Sequence, residues 1–132
     1  MIVVMANGVF DILHRGHLLY LEAGERMGDL LVVAVTMDKF VDKGPNRPTN
    51  SQDDRLALVK ALRPVNHAQL VEGAIEGFEY YKPDIFVKGK DYRRKIEKRH
   101  RDYCKAHGIE IRFTNTPLYS ATRIINDRIR HG

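Results

Sequence analysis

The sequence of 132 residues has one cysteine, no tryptophan and no long apolar run, and two of these shortages exclude a class of protein. Its only cysteine, Cys104, cannot form an internal disulfide or supply a cysteine-based zinc cage. The apolar start, Met1 to Phe10, is shorter than the about 20 residues of a membrane span. It also lacks the basic segment and cleavage site of a signal peptide. We therefore expect a protein of a reducing, cytoplasmic compartment without membrane contact.

The composition is typical of one globular domain. Hydrophobic residues make up 43% and charged residues 30% of the chain, which excludes a disordered segment. The length fits the roughly 100–150 residues of a single core. The sequence shows no internal repeat, low-complexity tract or interdomain linker, so we expect one domain over residues 1–132.

The net charge of +5 is concentrated in one stretch. Residues 88–105 contain nine lysines and arginines against three acidic residues, whereas the rest of the chain carries −1. Proteins that bind single-stranded nucleic acid place aromatic side chains among such charges, on strands. Here the charge falls on a predicted helix with only Tyr92 and Tyr103. We expect no nucleic-acid partner but an anionic small substrate, or a solvated helix face. A nucleotide- or RNA-binding module is the non-enzymatic alternative.

Apolar runs alternate with helical patterns along the chain. Strands are predicted at residues 2–6, 30–35, 68–71, 84–87 and 109–113. Helices are predicted at residues 16–27, 50–62, 75–81, 93–106 and 120–129, with Leu18 and Leu21 facing inward and Gly28 at the C′ position of the first helix. This repetition predicts an α/β fold: a Rossmann-like, doubly wound, five-stranded parallel sheet.

The segment after the first strand is the first candidate for a site, because ligands of parallel sheets bind at the carboxyl ends of the strands. Gly8 allows a tight turn there. His14 and His17 stand at the start of the next helix, where backbone N–H groups and a partial positive charge favour a phosphate. The two histidines could also be metal ligands or a structural pair. No GxxxxGK[ST] or GxGxxG motif is present.

The same segment carries a resemblance to a known family. Gly8-Val9-Phe10-Asp11 followed by His14-Arg15-Gly16-His17 resembles the GxFDxxHxGH signature of the cytidylyltransferase-like nucleotidyltransferases. Residues 43–44, 52–55, 88–92 and 119–124 also resemble family motifs, with Ala121 in place of a hydroxyl residue. Within the family, the segments are most similar to the heptose-1-phosphate adenylyltransferases. Glycerol-3-phosphate cytidylyltransferases and archaeal FAD synthases follow.

The resemblance implies nucleotidyl transfer from ATP or CTP to a phosphorylated sugar or polyol, in a homodimer. Mg²⁺ would arrive with the triphosphate, with few or no protein ligands. The implied catalytic residues are His14, His17 and Lys43. The implied nucleotide-binding residues are Gly8, Val9, Phe10, Gly16, Gly89, Asp91, Tyr119, Ser120 and Thr122.

Several residues keep two interpretations. Asp11 would bind the acceptor or cap the first helix, and Arg55 and Arg63 would bind the acceptor phosphate or form surface ion pairs. Tyr92 would stack on the base or lie half-buried at a helix start. The remaining histidines show no constellation and are expected at the surface: His67, His100, His107 and His131.

Overall fold

The apolar runs of the sequence form the strands of one parallel sheet. The computed structural model describes residues 1–116 of the chain. Its strands are β1 (Val3–Gly8), β2 (Leu30–Thr36), β3 (His67–Val71), β4 (Ile85–Lys88) and β5 (Glu110–Phe113). They lie in the order β3-β2-β1-β4-β5, so the order of strands reverses between β1 and β4. The predicted doubly wound α/β fold is confirmed.

Helices cover both faces of this sheet. They are α1 (Arg15–Glu25), α2 (Gln52–Lys60), α3 (Ala74–Tyr81) and α4 (Lys98–His107). Val4 of β1 belongs to a core cluster with Leu21 of α1 and Val59 of α2. The next residue, Met5, belongs to the opposite cluster, with Phe78 of α3. Because successive side chains of a strand point to opposite faces, β1 is buried on both sides and reads as a continuous apolar run. The predicted helix at 120–129 lies outside the described residues.

The end of α1 differs from the expectation. The helix ends with a right-handed C-cap at Arg26, and Gly28 does not occupy a left-handed C′ position. A Cβ on Gly28 would lie 2.8 Å from the carbonyl oxygen of Ile2. Gly28 is therefore required by the close approach of the chain to the residues that begin β1. Leu18, expected inside, is 37% exposed, because Leu21 and Gly24 form the buried face of α1.

The basic helix is shorter than predicted. α4 begins at Lys98, and the preceding residues form a 3-10 turn at Lys90–Tyr92 and further turns up to Glu97. The stretch before Lys98 has no apolar periodicity that would pack a helix on the sheet, whereas Cys104 of α4 is buried against it. The helix ends at Gly108, which adopts a left-handed conformation. None of the helices within residues 1–116 is long and apolar enough to cross a membrane.

Candidate active site

A cavity of about 210 Å³, here called the main cavity, lies at the carboxyl ends of β1 and β4, where the strand order reverses. Nine side chains or glycines expected from the sequence line it: Gly8, Val9, Phe10, His14, Gly16, His17, Lys43, Gly89 and Asp91. Tyr119, Ser120 and Thr122 lie outside the described residues. The structure thus brings together the segment after β1, the long loop after β2 (residues 37–50) and the segment after β4, as expected for a ligand site in a doubly wound sheet.

The two histidines form one hydrogen-bonded unit at the start of α1. His14 is the N-cap residue, and its Nδ1 accepts the N–H of Gly16 at 3.1 Å. Nδ1 of His17 accepts the N–H of His14 at 3.3 Å, and the two rings stack with centroids 3.9 Å apart. Because each Nδ1 accepts a hydrogen bond, the proton of each neutral ring resides on Nε2.

Both imidazoles are neutral at pH 7. Burial lowers the pKa of His17 to about 4, with the charges of His14 and Lys43 acting in the same direction. Burial, followed by the charge of Lys43, also lowers the pKa of His14. Neutral Nε2–H groups can donate hydrogen bonds to phosphate oxygens without adding a buried charge. The pair therefore fits the expected role as phosphate donors.

A tight turn after β1 shapes the floor of the main cavity. Phe10 adopts a left-handed φ of 54°, an unusual conformation for a bulky residue. Its ring lies against Gly8, where a Cβ would approach Phe10 Cε2 to 3.0 Å, and beside His17, with centroids 5.4 Å apart. The close Phe10 ring therefore favours glycine at position 8, and the same ring packs beside His17.

Two lysines supply positive charge to the cavity. Lys43 comes from the long loop, and burial lowers its pKa together with the charge of Arg47, against the opposing effect of Asp11. Lys88 ends β4, and burial lowers its pKa to about 8 although Asp91 and Glu97 oppose this. With the donors of the histidine pair, these ammonium groups make the cavity suited to an anion.

Asp11 does not cap α1, whose N-cap is His14. Its carboxylate is buried and accepts hydrogen bonds from the N–H groups of Thr49 and Asn50, both at 2.9 Å, and from Nε of Arg47 at 2.8 Å. Burial raises the pKa of Asp11, but these hydrogen bonds outweigh burial and hold the pKa below its ordinary value. Asp11 therefore holds the end of the long loop, Arg47 to Asn50, in place through these hydrogen bonds.

Arg55 and Arg63 do not line the main cavity. The guanidinium of Arg55 is fully buried and donates to the carbonyl oxygens of Val9 and Thr36 at 2.7 and 2.8 Å. It also pairs with Asp38 at 2.6 Å. Arg63 follows α2 towards the other edge of the sheet and forms exposed ion pairs with two glutamates of α1. Arg63 thus forms surface ion pairs, as one of its two interpretations expects, whereas Arg55 joins loops inside the protein.

Sequence reasoning missed four of the residues that line the main cavity: Asn7, Tyr20, Lys88 and Thr116. Lys88 has a signal in the sequence, since it directly follows the apolar run of β4 and begins the segment 88–92 that resembles a family motif. The hydroxyl of Tyr20 donates to the carbonyl of Val87 at 2.6 Å and ties α1 to β4. Tyr92 is 41% exposed and lies at the cavity wall, compatible with either of its two interpretations.

Protein ligands for a metal ion are scarce. Among residues 1–116, no three His, Cys, Asp or Glu side chains are grouped so that they could hold a metal. Asp91 is the one carboxylate among the described residues that line the main cavity. Cys104 lies on α4 in the opposite core cluster, where burial raises its pKa to about 11, so it is no activated nucleophile.

The fold is that of a Rossmann-like α/β protein, and the histidine pair lies in the cleft where its strand order reverses. The chain belongs to the cytidylyltransferase-like family, whose model matches residues 5–127.

Similar proteins agree with this assignment. The chain is 40% identical over 132 residues to the bifunctional protein HldE of Pseudomonas savastanoi pv. phaseolicola, covering 97% of this chain and 28% of that protein. It therefore spans less than a third of the length of that relative. The FAD synthase of Aciduliprofundum boonei is 37% identical over 90% of this chain and 80% of its own length. The lipopolysaccharide core biosynthesis protein of Thermoplasma volcanium is similar in structure, with a TM-score of 0.73 and 36% identity over 91% of this chain and 99% of that one.

Proposed function

We propose that this chain transfers a nucleoside monophosphate, AMP from ATP, to a sugar phosphate such as heptose 1-phosphate and releases pyrophosphate. The observation that carries the proposal is the hydrogen-bonded pair of His14 and His17 facing Lys43 and Lys88 in one cavity. Membership of the family and the similarity to HldE support the reaction class and the acceptor class.

The residues suit a reaction in which a phosphate oxygen of the acceptor attacks the α-phosphorus of the nucleotide. The bond from the α-phosphorus to the bridging oxygen breaks, and the electron pair leaves with pyrophosphate. Because an acceptor phosphate is largely ionised at pH 7, no strong general base is required. Nε2–H groups of His14 and His17 would stabilise the charge that develops on the α- and β-phosphate oxygens.

The remaining roles are those that the family resemblance implies, and for Lys43, Gly89 and Asp91 their place in the lining of the main cavity supports them. Lys43 would neutralise charge as its loop closes over the triphosphate. Gly89 and Asp91 would contact the ribose and base, and Ser120 and Thr122, with Tyr119, would hold the β- and γ-phosphates. Mg²⁺ bound to the triphosphate would neutralise its charge. With Asp91 as the single carboxylate in the described lining, the phosphate oxygens would supply most of its ligands.

The experiment that tests this function is a matrix of nucleoside triphosphates against phosphorylated acceptors, scored by pyrophosphate release with Mg²⁺. We expect ATP with a sugar 1-phosphate to give the highest kcat/KM. Calorimetric titration separates ATP from CTP: CTP binding tighter by tenfold, about 1.4 kcal/mol, would assign the chain to the cytidylyl-transferring branch. Absence of pyrophosphate with every pair would favour a nucleotide- or RNA-binding module.

One second function is favoured by a specific observation. The similarity to the FAD synthase of Aciduliprofundum boonei extends over 80% of that protein, far more than the share of HldE that is covered. Flavin mononucleotide therefore belongs in the acceptor panel, beside glycerol 3-phosphate.

A homodimer in the cytoplasm completes the proposal, and sedimentation of the purified chain tests the oligomeric state.

A further inference from the structure

The buried guanidinium of Arg55, on α2, joins both ends of the long loop. At the start of the loop, Nη1 donates to the carbonyl oxygen of Thr36 at 2.8 Å, and Nη2 pairs with Oδ1 of Asp38 at 2.6 Å. At the end of the loop, Nε donates to the carbonyl oxygen of Asn50 at 3.1 Å. Because the guanidinium is planar and rigid, these contacts fix the spacing of the two loop ends.

The same guanidinium also holds the turn that contains Phe10. Nη1 donates to the carbonyl oxygen of Val9 at 2.7 Å. Asp11, on the other side of Phe10, accepts the N–H of Asn50 at 2.9 Å. The ring of Phe10 lies beside that of His17, with centroids 5.4 Å apart. The base of the long loop and the turn beside His17 therefore form one hydrogen-bonded unit.

This set of contacts depends on the forked shape of an arginine. The side chain of Arg55 is fully buried, and its nitrogens donate to three carbonyl oxygens and one carboxylate. A lysine carries its donors on one nitrogen, so it would keep the charge and lose part of these contacts. Arg55 does not line the main cavity, so any effect on the reaction must pass through the segments that it holds.

Lys43 lies in the stretch of the loop between these anchors. It lines the main cavity together with His14 and His17. Gly44 and Asn46 beside it have left-handed φ angles of 92° and 62°, so the chain bends sharply here. Fixing both ends of a loop reduces the number of conformations that are open to its middle. The anchors of the loop therefore restrict where Lys43 lies relative to the two histidines.

We propose that Arg55 is a positioning residue, which fixes the base of the long loop so that Lys43 closes on the triphosphate beside the histidine pair. This inference rests on the nucleotidyl transfer proposed above and adds a residue that acts without touching the substrate. A misplacement of about 1 Å can lower a rate by about 10²-fold. Loss of the anchor should therefore lower kcat far more than it raises the KM for ATP, because the other groups of the cavity still bind the nucleotide.

The test is a double-mutant cycle of Arg55 and Lys43, scored by kcat for pyrophosphate release with the substrates that give the highest rate with the wild type. Arg55→Lys should lower kcat by about 10–10²-fold when Lys43 is present and leave the KM for ATP within about threefold. In the Lys43→Ala background, the same exchange should change kcat by less than about twofold. Arg26→Lys makes the same exchange at an exposed position at the end of α1 and is the matched control, which should keep the wild-type kcat.

A purely structural role of Arg55 would give a different pattern. Arg55→Lys would then lower the melting temperature and either leave kcat unchanged or lower it by the same factor with and without Lys43, and the proposal would be wrong. If Arg55→Lys does not fold, Asp38→Ala carries the cycle, because the side chain of Asp38 is 43% exposed and its removal leaves the core closed. Its kcat should again fall only when Lys43 is present. A wild type that releases no pyrophosphate with any pair of substrates would instead refute the proposed function itself.

Discussion

Replacement of Asp11 by alanine separates a structural role from acceptor binding. In the structure, the Asp11 carboxylate holds the end of the long loop through Arg47, Thr49 and Asn50. If this is its role, Asp11→Ala should lower the free energy of unfolding. If Asp11 instead contacts the acceptor, the variant should retain the stability of the wild type and show only a higher acceptor KM.

The magnitude follows from the three hydrogen bonds. Removing one partner of a buried charge pair costs about 3–5 kcal/mol. Thr49 is exposed, so water can satisfy its N–H after the substitution, and we expect the lower part of this range, about 3–4 kcal/mol. At a urea dependence of about 2 kcal/mol per M, the unfolding midpoint would fall by about 1.5–2 M.

The pH dependence has a defined sign. The pKa of Asp11 is lower in the folded protein than its ordinary value of 3.8, so its stabilisation is complete above that value and is lost as the pH falls through the lowered pKa. The difference between wild type and Asp11→Ala should therefore be constant above about pH 5 and shrink in acid.

Urea unfolding followed by circular dichroism measures these differences. Asp53→Ala, which removes an exposed carboxylate from the first turn of α2, serves as the control and should cost less than about 1 kcal/mol. A loss below about 1 kcal/mol for Asp11→Ala would contradict this structural role and return Asp11 to the acceptor candidates.

Three further predictions concern the histidines, the long loop and the packing of α1. His14→Asn and His17→Ala should each lower kcat for pyrophosphate release by about 10²–10³. Because asparagine also caps helices, the melting temperature of His14→Asn should stay close to that of the wild type. Near-full turnover of either variant would exclude the donor role. Limited proteolysis should cut the free protein near residues 40–48, because Arg55 holds Asp38 before this stretch and Asp11 holds Thr49 and Asn50 after it. Saturating ATP should suppress the cutting. Equal cutting with and without ATP would refute loop closure. Gly28→Ala should lower the free energy of unfolding by about 1–3 kcal/mol, since its Cβ would lie 2.8 Å from atoms of Ile2 and Val4. In the control Gly73→Ala, the new Cβ meets nothing within 4 Å. The same urea measurement should show almost no change in its free energy of unfolding.

Local patterns were sufficient for the fold and for the centre of the site. The order of apolar runs and helical segments predicts a doubly wound sheet, because each strand buried on both faces must be continuously apolar. The position of Gly8, His14 and His17 after β1 places them at the carboxyl edge of that sheet. Their chemistry depends on contacts between near neighbours in sequence, such as the hydrogen bond from Gly16 to His14. Such contacts follow from local backbone geometry.

Tertiary structure alone decided what the charged residues outside this motif do. An arginine such as Arg55 could bind a phosphate. Its guanidinium instead donates to the carbonyl groups of Val9 and Thr36, which are each at least 19 positions away in sequence. The surroundings of Lys88 are likewise set by the fold, and they include no acid within ion-pairing distance among the described residues. Whether a charge is compensated within the protein or left for a ligand depends on which distant segments the fold brings within about 4 Å. Residue type and spacing do not encode that distance, so the sequence determines the location of the candidate site and its histidines, and the assembled sheet determines which cations line the cavity.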